Sequence, residues 1–222
     1  MTLKIKAVLL DLDGVIIESE HLKAAAHTEA ATRFGKSVPR EIYARVMGQT
    51  HAAVRAAFLQ AAGATVDPAE YTTAYHKIYH HLVQTQLAMT PGMDALLPAL
   101  QTQGYRMALV TSSSKESAAI TLSKADVAGF FGVEVFAEDV LRSKPDPQPY
   151  QIALERLAIH SRQAVAFEDS RAGIEAAADA GLQVFALRHL YNTDQDFSKA
   201  QQVLDSLVDT PGIIDLIERA DV

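Results

Sequence analysis

The chain of 222 residues contains no cysteine. It therefore has no disulfide framework and no metal site built from thiolates. Positive charge is also in short supply, since 20 lysine and arginine residues stand against 27 aspartate and glutamate residues and the formal net charge is -7. Nucleic acid is thus not an expected partner, because contacts with phosphate backbones need clustered lysine and arginine.

Long apolar runs are missing as well. No segment approaches the roughly 20 apolar residues that a membrane-spanning helix needs, so we expect no membrane partner. The apolar run near the amino terminus stops at Asp11, which is too early for a secretory signal. We therefore expect a cytoplasmic protein that is a monomer or a small homo-oligomer.

The order of the predicted elements changes along the chain. Residues 5–10 form a short apolar run, as expected of a strand buried on both faces. Four predicted helices follow, at residues 19–34, 40–47, 52–62 and 69–87. From residue 93 onward, helices alternate with predicted strands at residues 106–110, 133–137, 164–167 and 184–187. This alternation predicts an α/β fold with a doubly wound, Rossmann-like parallel sheet.

The first predicted strand needs partners, and only the later strands can supply them. We therefore predict a core domain formed by residues 1–17 and 88–222, with an α-helical cap domain inserted at residues 18–87. Two hinges near residues 17–19 and 88–92 would join the two domains.

Reactive side chains follow four of the predicted strands, at the edge where a parallel sheet binds its ligands. In chain order they are Asp11, Asp13, Thr111, Ser112, Lys144, Glu168 and Asp169. The carboxylates are hard oxygen ligands that suit Mg²⁺, and without a cation they would repel one another. The hydroxyl groups lie at the start of a helix and suit a phosphate oxygen, and the lysine adds a positive charge. The set predicts phosphoryl transfer.

Two of the acids have distinct predicted roles. Asp11 is the candidate nucleophile, because carboxylates can form aspartyl phosphates. Asp13 lies two residues later, on the same side of an extended chain, so it can protonate the leaving oxygen and later activate water.

Four motifs resemble those of the haloacid dehalogenase superfamily, in the branch of β-phosphoglucomutase and phosphoglycolate phosphatase. They are DLDGV at residues 11–15, VTSSS at 110–114, SKPDP at 143–147 and FEDSRAGIEAAADAG at 167–181. The resemblance implies an α/β core with a helical cap inserted after the first motif.

The resemblance also implies ligands. Mg²⁺ would be bound by Asp11, the carbonyl of Asp13 and Asp169, with Glu168 as a nearby or water-mediated ligand. Three further residues would bind the transferring phosphoryl group: Thr111, Ser112 and Lys144.

In this branch of the family, a loop of the cap reaches over the active site. Here that loop is MGQTH, at residues 47–51. The residues predicted to determine substrate specificity are Gln49, Thr50 and His51, together with Lys77 of the last cap helix.

We therefore expect a Mg²⁺-dependent phosphatase of a small phosphorylated metabolite, in particular a sugar phosphate, that acts through an aspartyl phosphate. A hexose-phosphate mutase of the β-phosphoglucomutase type is the alternative, but the segment ESEHLK at residues 18–23 and Met47 do not match the acceptor-binding pattern of the mutases. A phospho-acceptor signalling domain would use a similar acid cluster, but it would have no helical cap.

Overall fold

The computed structural model describes residues 4–220. Its centre is a six-stranded sheet in which neighbouring strands are parallel. The strands are β1 (Ala7–Leu10), β2 (Arg106–Val110), β3 (Val133–Val135), β4 (Ala164–Glu168), β5 (Gln183–Leu187) and β6 (Gln202–Leu204). Their order across the sheet is β3-β2-β1-β4-β5-β6, so the chain winds outward from β1 in both directions. The prediction of a doubly wound α/β fold is confirmed.

The central strand β1 is apolar throughout because helices cover both faces of the sheet. Val8 and Leu10 belong to one apolar cluster, whereas Ala7 and Leu9 belong to another, and all four are fully buried. The first cluster is completed by α5 (Met93–Thr102), α6 (Lys115–Ala125) and α9 (Thr210–Arg219), and the second by α7 (Gln148–Leu157) and α8 (Arg171–Asp179).

A helical insertion connects β1 to α5. Its helices are α1 (Glu20–Phe34), α2 (Ile42–Val46), α3 (His51–Ala62) and α4 (Pro68–Gln86). They bury a third apolar cluster, which contains Phe58 and Tyr71. Where the chain leaves and re-enters the core, Ile17 forms a bridge with Met89. The insertion therefore starts and ends beside the carboxyl end of β1.

Several predicted elements are shorter in the structure, among them β3 and α2. The strand β3 ends at Val135 rather than at Ala137, because Ala137–Asp139 forms a 3-10 turn in which Asp139 accepts a hydrogen bond from the N–H of Phe136. The helix α2 covers only five residues of the predicted range 40–47. These differences leave the order of the elements unchanged.

No element was predicted after residue 187, but the structure has β6 and α9 there. The strand β6 has three residues at the edge of the sheet, too few for a periodic pattern. The helix α9 has start signals that the sequence does contain, because Asp209 accepts a hydrogen bond from the N–H of Gly212 and a proline lies in the first turn. Within residues 4–220, no helix is both long and apolar enough to cross a lipid bilayer.

Candidate active site

The carboxyl ends of β1, β2 and β4 lie side by side, and predicted site residues are found at each of them. Asp11 follows β1, Thr111 follows β2, and Glu168 and Asp169 lie at the end of β4. The N–H of Asp11 donates to the carbonyl of Phe167 at 3.1 Å, which continues the pairing of β1 with β4. The parallel register thus brings residues that are far apart in sequence to one edge of the sheet.

Lys144 reaches this edge from the loop that precedes α7. Its Nζ donates to Asp11 Oδ1 at 2.6 Å, to Glu168 Oε1 at 2.6 Å and to the carbonyl of Val110 at 2.9 Å. The hydroxyl of Tyr150 donates to the same Glu168 oxygen at 2.5 Å. Burial alone would lower the pKa of Lys144, but the charges of the two carboxylates raise it, so the lysine remains charged.

Asp11, Glu168 and Asp169 form a buried group of acids that we call the carboxylate cluster. One oxygen of each lies within 4.8 Å of the others. Burial, together with the negative charges of Glu168 and Asp13, raises the pKa of Asp11 to about 7. Burial, Glu20 and the neighbouring acids raise the pKa of Asp169 well above its usual range. A single lysine does not balance these acids, so the cluster fits a divalent cation with oxygen ligands.

Gly14 allows the loop after β1 to pack directly against Asp169. Its φ of +80° lies in the left-handed region that favours glycine. A Cβ atom at this position would overlap the Asp169 carboxylate. The glycine of the first motif therefore provides space for the acid of the fourth.

Asp13 makes a separate set of contacts. Its carboxylate accepts hydrogen bonds from Ser19 Oγ at 2.5 Å and Ser113 Oγ at 2.8 Å, and it lies 3.0 Å from Lys23 Nζ. Burial alone would raise the pKa of Asp13, but Lys23 and these hydroxyl groups lower it, so the carboxylate is ionised. These three partners were not predicted from the sequence, although Ser113 is part of the VTSSS motif.

Thr111 and Ser112, the predicted phosphate ligands, have different environments. Thr111 is buried, its Oγ1 accepts a hydrogen bond from the N–H of Ser113 at 3.0 Å, and its own N–H donates to Val135. Ser112 is exposed at the carboxyl end of β2. The structure therefore brings both residues to the correct edge of the sheet, and their contact with phosphate stays a prediction.

The four residues predicted to determine specificity lie on the helical insertion and are exposed. Gln49 Nε2 donates to the carbonyl of Arg45 at 3.3 Å, and Thr50 Oγ1 caps α3 by accepting a backbone N–H. His51 begins α3, and Lys77 lies on α4. In the described part of the chain, none of the four forms a hydrogen bond with the carboxylate cluster, so their role stays a prediction.

A cavity of about 320 Å³ opens between α1 and the loop after β5. Its lining includes Gly14, Glu20, His21 and His189. His189 forms a hydrogen bond with Asp169, so the cavity adjoins the carboxylate cluster. The position of these α1 residues beside the cavity was not predicted from the sequence, where they were compared only with the mutase pattern.

Known proteins resemble this chain over most of its length. The sequence model of a family described as haloacid dehalogenase-like hydrolase matches residues 8–187. Phosphorylated carbohydrates phosphatase from Thermotoga maritima is 29% identical over 199 residues, which cover 89% of this chain and 92% of that protein. Validoxylamine A 7'-phosphate phosphatase from Streptomyces hygroscopicus subsp. limoneus is 35% identical over 182 residues, which cover 80% of this chain and 83% of that protein.

Solved structures share the same fold. The crystal structure of CbbY from Rhodobacter sphaeroides in complex with phosphate superposes with a TM-score of 0.81 at 28% identity. The superposition covers 92% of this chain and 96% of that one. The similarity therefore includes the helical insertion as well as the sheet.

Proposed function

Because this chain belongs to the haloacid dehalogenase-like hydrolases, we propose that it is a Mg²⁺-dependent phosphatase of a small phosphorylated metabolite, in particular a sugar phosphate. The observation that carries the proposal is the contact of Lys144 with Asp11 and Glu168 beside Asp169. It brings the candidate nucleophile Asp11, a charged lysine and a cluster of acids together. The names of the two phosphatase relatives, with a phosphorylated carbohydrate and a 7'-phosphate as substrates, support the substrate class.

In the first step, Oδ2 of Asp11 attacks phosphorus, because its other oxygen is held by Lys144. A phosphorus–oxygen bond to Asp11 forms, the bond to the leaving oxygen breaks, and that oxygen takes a proton from Asp13. Lys144, Thr111 and Ser112 bind the oxygens of the phosphoryl group.

In the second step, water attacks phosphorus and gives a proton to Asp13. The bond between phosphorus and the Asp11 oxygen breaks, which regenerates the Asp11 carboxylate and releases inorganic phosphate. The contacts of Asp13 with Lys23 and Ser19 suit this step, because they keep the carboxylate ionised and able to accept a proton. The first step needs protonated Asp13, so substrate entry has to separate Asp13 from Lys23.

The residues that would hold Mg²⁺ are Asp11, Asp169 and the backbone carbonyl of Asp13, with Glu168 nearby or linked through water. When bound, the cation offsets the negative charge of the phosphoryl group as Asp11 approaches it. The raised pKa values of Asp11 and Asp169 support this assignment, since the two buried acids lack a full complement of positive charge.

We also propose that residues 18–87 act as a cap domain over a core of residues 1–17 and 88–222. The separate apolar cluster of the insertion and its two connections near Ile17 and Met89 support this division. In this arrangement Gln49, Thr50, His51 and Lys77 contact the leaving group when the cap closes. Closure also limits the access of bulk water to the site.

The proposal is tested by measuring the release of inorganic phosphate from a panel of phosphorylated sugars and small phosphorylated acids. We expect many equivalents of phosphate per protein in Mg²⁺, none after treatment with EDTA, and full recovery when Mg²⁺ is restored. Failure to turn over any member of the panel, or full activity after exhaustive chelation, would contradict the proposal.

The same assay separates the phosphatase from its two alternatives. A mutase would convert β-glucose 1-phosphate to glucose 6-phosphate faster than it releases phosphate. A signalling domain would accept one phosphoryl group and release no steady stream of phosphate. We expect neither result.

A further inference from the structure

The loop after β5 makes close contacts with one member of the carboxylate cluster. We call residues 188–195 the β5 loop. It lies outside the four motifs of the sequence analysis, and its His189 and Tyr191 line the cavity beside α1. His189 and Asn192 of this loop contact Asp169, and Gln195 contacts the helical insertion.

Asn192 fixes the shape of the β5 loop. Its side chain is almost fully buried, and Nδ2 donates to the carbonyl of Asp169 at 2.8 Å and to the carbonyl of Leu187 at 2.9 Å. Its Oδ1 accepts a hydrogen bond from the N–H of His189 at 2.8 Å. One amide side chain therefore ties the end of β5, the β5 loop and the backbone of Asp169 together.

His189 holds the side chain of the same acid. Its Nε2 lies 2.9 Å from Asp169 Oδ2, and its Nδ1 is 3.2 Å from the backbone N of Tyr191. Because the Tyr191 N–H needs an acceptor, Nδ1 carries no proton, and the proton of the neutral ring is on Nε2. His189 therefore donates to Oδ2 of Asp169 and leaves Oδ1 available for another ligand.

The β5 loop also contacts the helical insertion. The ring of Tyr191 packs edge to face against Tyr43 of α2, with 5.7 Å between the ring centroids. Gln195 donates through Nε2 to the carbonyl of Met47 at 3.3 Å and accepts the N–H of Arg171 at 2.6 Å. These contacts join the loop to the helical insertion and to the first residue of α8.

We infer that His189 is a positioning residue that, with Asn192, orients the Asp169 carboxylate for cation binding before the cation arrives. The inference rests on the proposed function, because it concerns the same Mg²⁺ site. Hydrogen bonds to a ligating carboxylate fix its orientation, and losing such a partner weakens metal affinity by about 10- to 100-fold. His189 itself does not touch the reacting atoms.

The test compares Mg²⁺ binding to the substrate-free protein by calorimetry for His189→Ala, His189→Asn and His189→Gln. Glutamine places an amide N–H near the position of Nε2, whereas the shorter asparagine does not reach Asp169. We expect about 10- to 100-fold weaker binding for His189→Ala and His189→Asn, and recovery of most of the affinity in His189→Gln. Leu190→Ala is the control, since this side chain in the same loop is 79% exposed.

Kinetics provide a second readout. The KM for Mg²⁺ should rise in His189→Ala and His189→Asn, while kcat at saturating Mg²⁺ stays close to that of the parent protein. If His189→Ala does not fold, the comparison of His189→Asn with His189→Gln decides the question. If the parent protein binds Mg²⁺ and these variants bind it equally tightly, the positioning role is overturned. A parent protein that neither binds Mg²⁺ nor releases phosphate would instead overturn the proposed function.

Discussion

Lys144 and the acids around it show how a buried site can be prepared for a cation. The side chain of the lysine is 6% exposed and contacts both Asp11 and Glu168 at 2.6 Å. Its one positive charge leaves the site with an excess of negative charge. Burial is the main cause that raises the pKa of Asp11 to about 7, and the charges of Glu168 and Asp13 add to it. A pKa near neutral leaves Asp11 partly protonated at pH 7, and binding of a divalent cation would displace this proton.

His27 of α1 is a buried group whose titration we expect to affect stability. Its ring stacks on Tyr75 with 4.0 Å between centroids, and its Nδ1 lies 3.0 Å from the hydroxyl of Tyr71. Burial, reinforced by the nearby His51, lowers the pKa of His27 to about 3. The unfolded chain binds a proton below the ordinary pKa of 6.5, whereas the folded chain does not until about pH 3. The contribution of His27 to stability is therefore complete above pH 6.5 and is lost as the pH falls toward 3.

We predict that His27→Phe makes the protein less sensitive to acid. The free energy of unfolding of the parent protein should fall between about pH 6 and about pH 4 by about 2 kcal/mol more than that of the variant. Denaturant titrations at several pH values measure this difference. The matched control is His81→Phe at an exposed position of α4, which should keep the pH dependence of the parent. Parallel curves for His27→Phe and the parent protein would contradict the assignment.

Some side chains of the site could be predicted from the sequence, and others could not. Asp11, Glu168 and Asp169 were predictable, because each comes at the end of an apolar strand and parallel strands end at one edge of a sheet. Lys23 and His189 could not be predicted, because both lie outside the motifs. Folding brings Lys23 of α1 to Asp13 and His189 of the β5 loop to Asp169.

The helix α8 is held close to the site by one glycine. A Cβ atom at Gly173, in the first turn of α8, would overlap the carboxylate of Glu168. That carboxylate cannot easily move, because it is fully buried and already contacts Lys144 and Tyr150. The close approach of α8 to the end of β4 therefore requires a residue without a side chain.

We predict that Gly173→Ala lowers both stability and phosphatase activity. Alanine would favour the helix by up to about 1 kcal/mol, but displacement of Glu168 from its partners should outweigh this gain and leave a net loss of about 2 kcal/mol. Thermal unfolding and phosphate release measure the two effects, and activity should fall by about tenfold or more because Lys144 loses a partner. In the control Gly129→Ala, the added atom has nothing within 4 Å and should change little. A Gly173→Ala protein with the stability and activity of its parent would show that α8 can shift to accommodate the methyl group.

The elements themselves were predictable to different degrees. The strands β1, β2, β4 and β5 are buried and apolar, and their positions follow from the sequence with shifts of a few residues. The predicted range of β3 was two residues too long, because the hydrogen bond from the N–H of Phe136 to Asp139 turns the chain after Val135. The strand β6 lies at the edge of the sheet and is only three residues long, so its pairing with β5 is decided by tertiary packing.

In the proposed mechanism, the contacts of the helical insertion with the core would couple substrate access to the protonation of Asp13. Lys23 of α1 lies 3.0 Å from Asp13, and Tyr191 of the β5 loop packs on Tyr43 of α2. Movement of the insertion away from the sheet would separate both pairs. Opening for substrate entry would therefore also release Asp13 from Lys23 and let it take up the proton that it gives to the leaving oxygen in the first step.

The central claim is that Asp11 accepts the phosphoryl group from substrate. The most direct measurement is to quench the protein with acid during turnover of p-nitrophenyl phosphate in Mg²⁺ and to locate the phosphoryl group by peptide mass spectrometry. We predict one phosphoryl group on the fragment that contains Asp11, and none in Asp11→Asn, whose phosphate release should fall by several orders of magnitude. Continued release of phosphate by Asp11→Asn at the parent rate, with the Asp11 fragment of the parent protein unmodified, would contradict the claim.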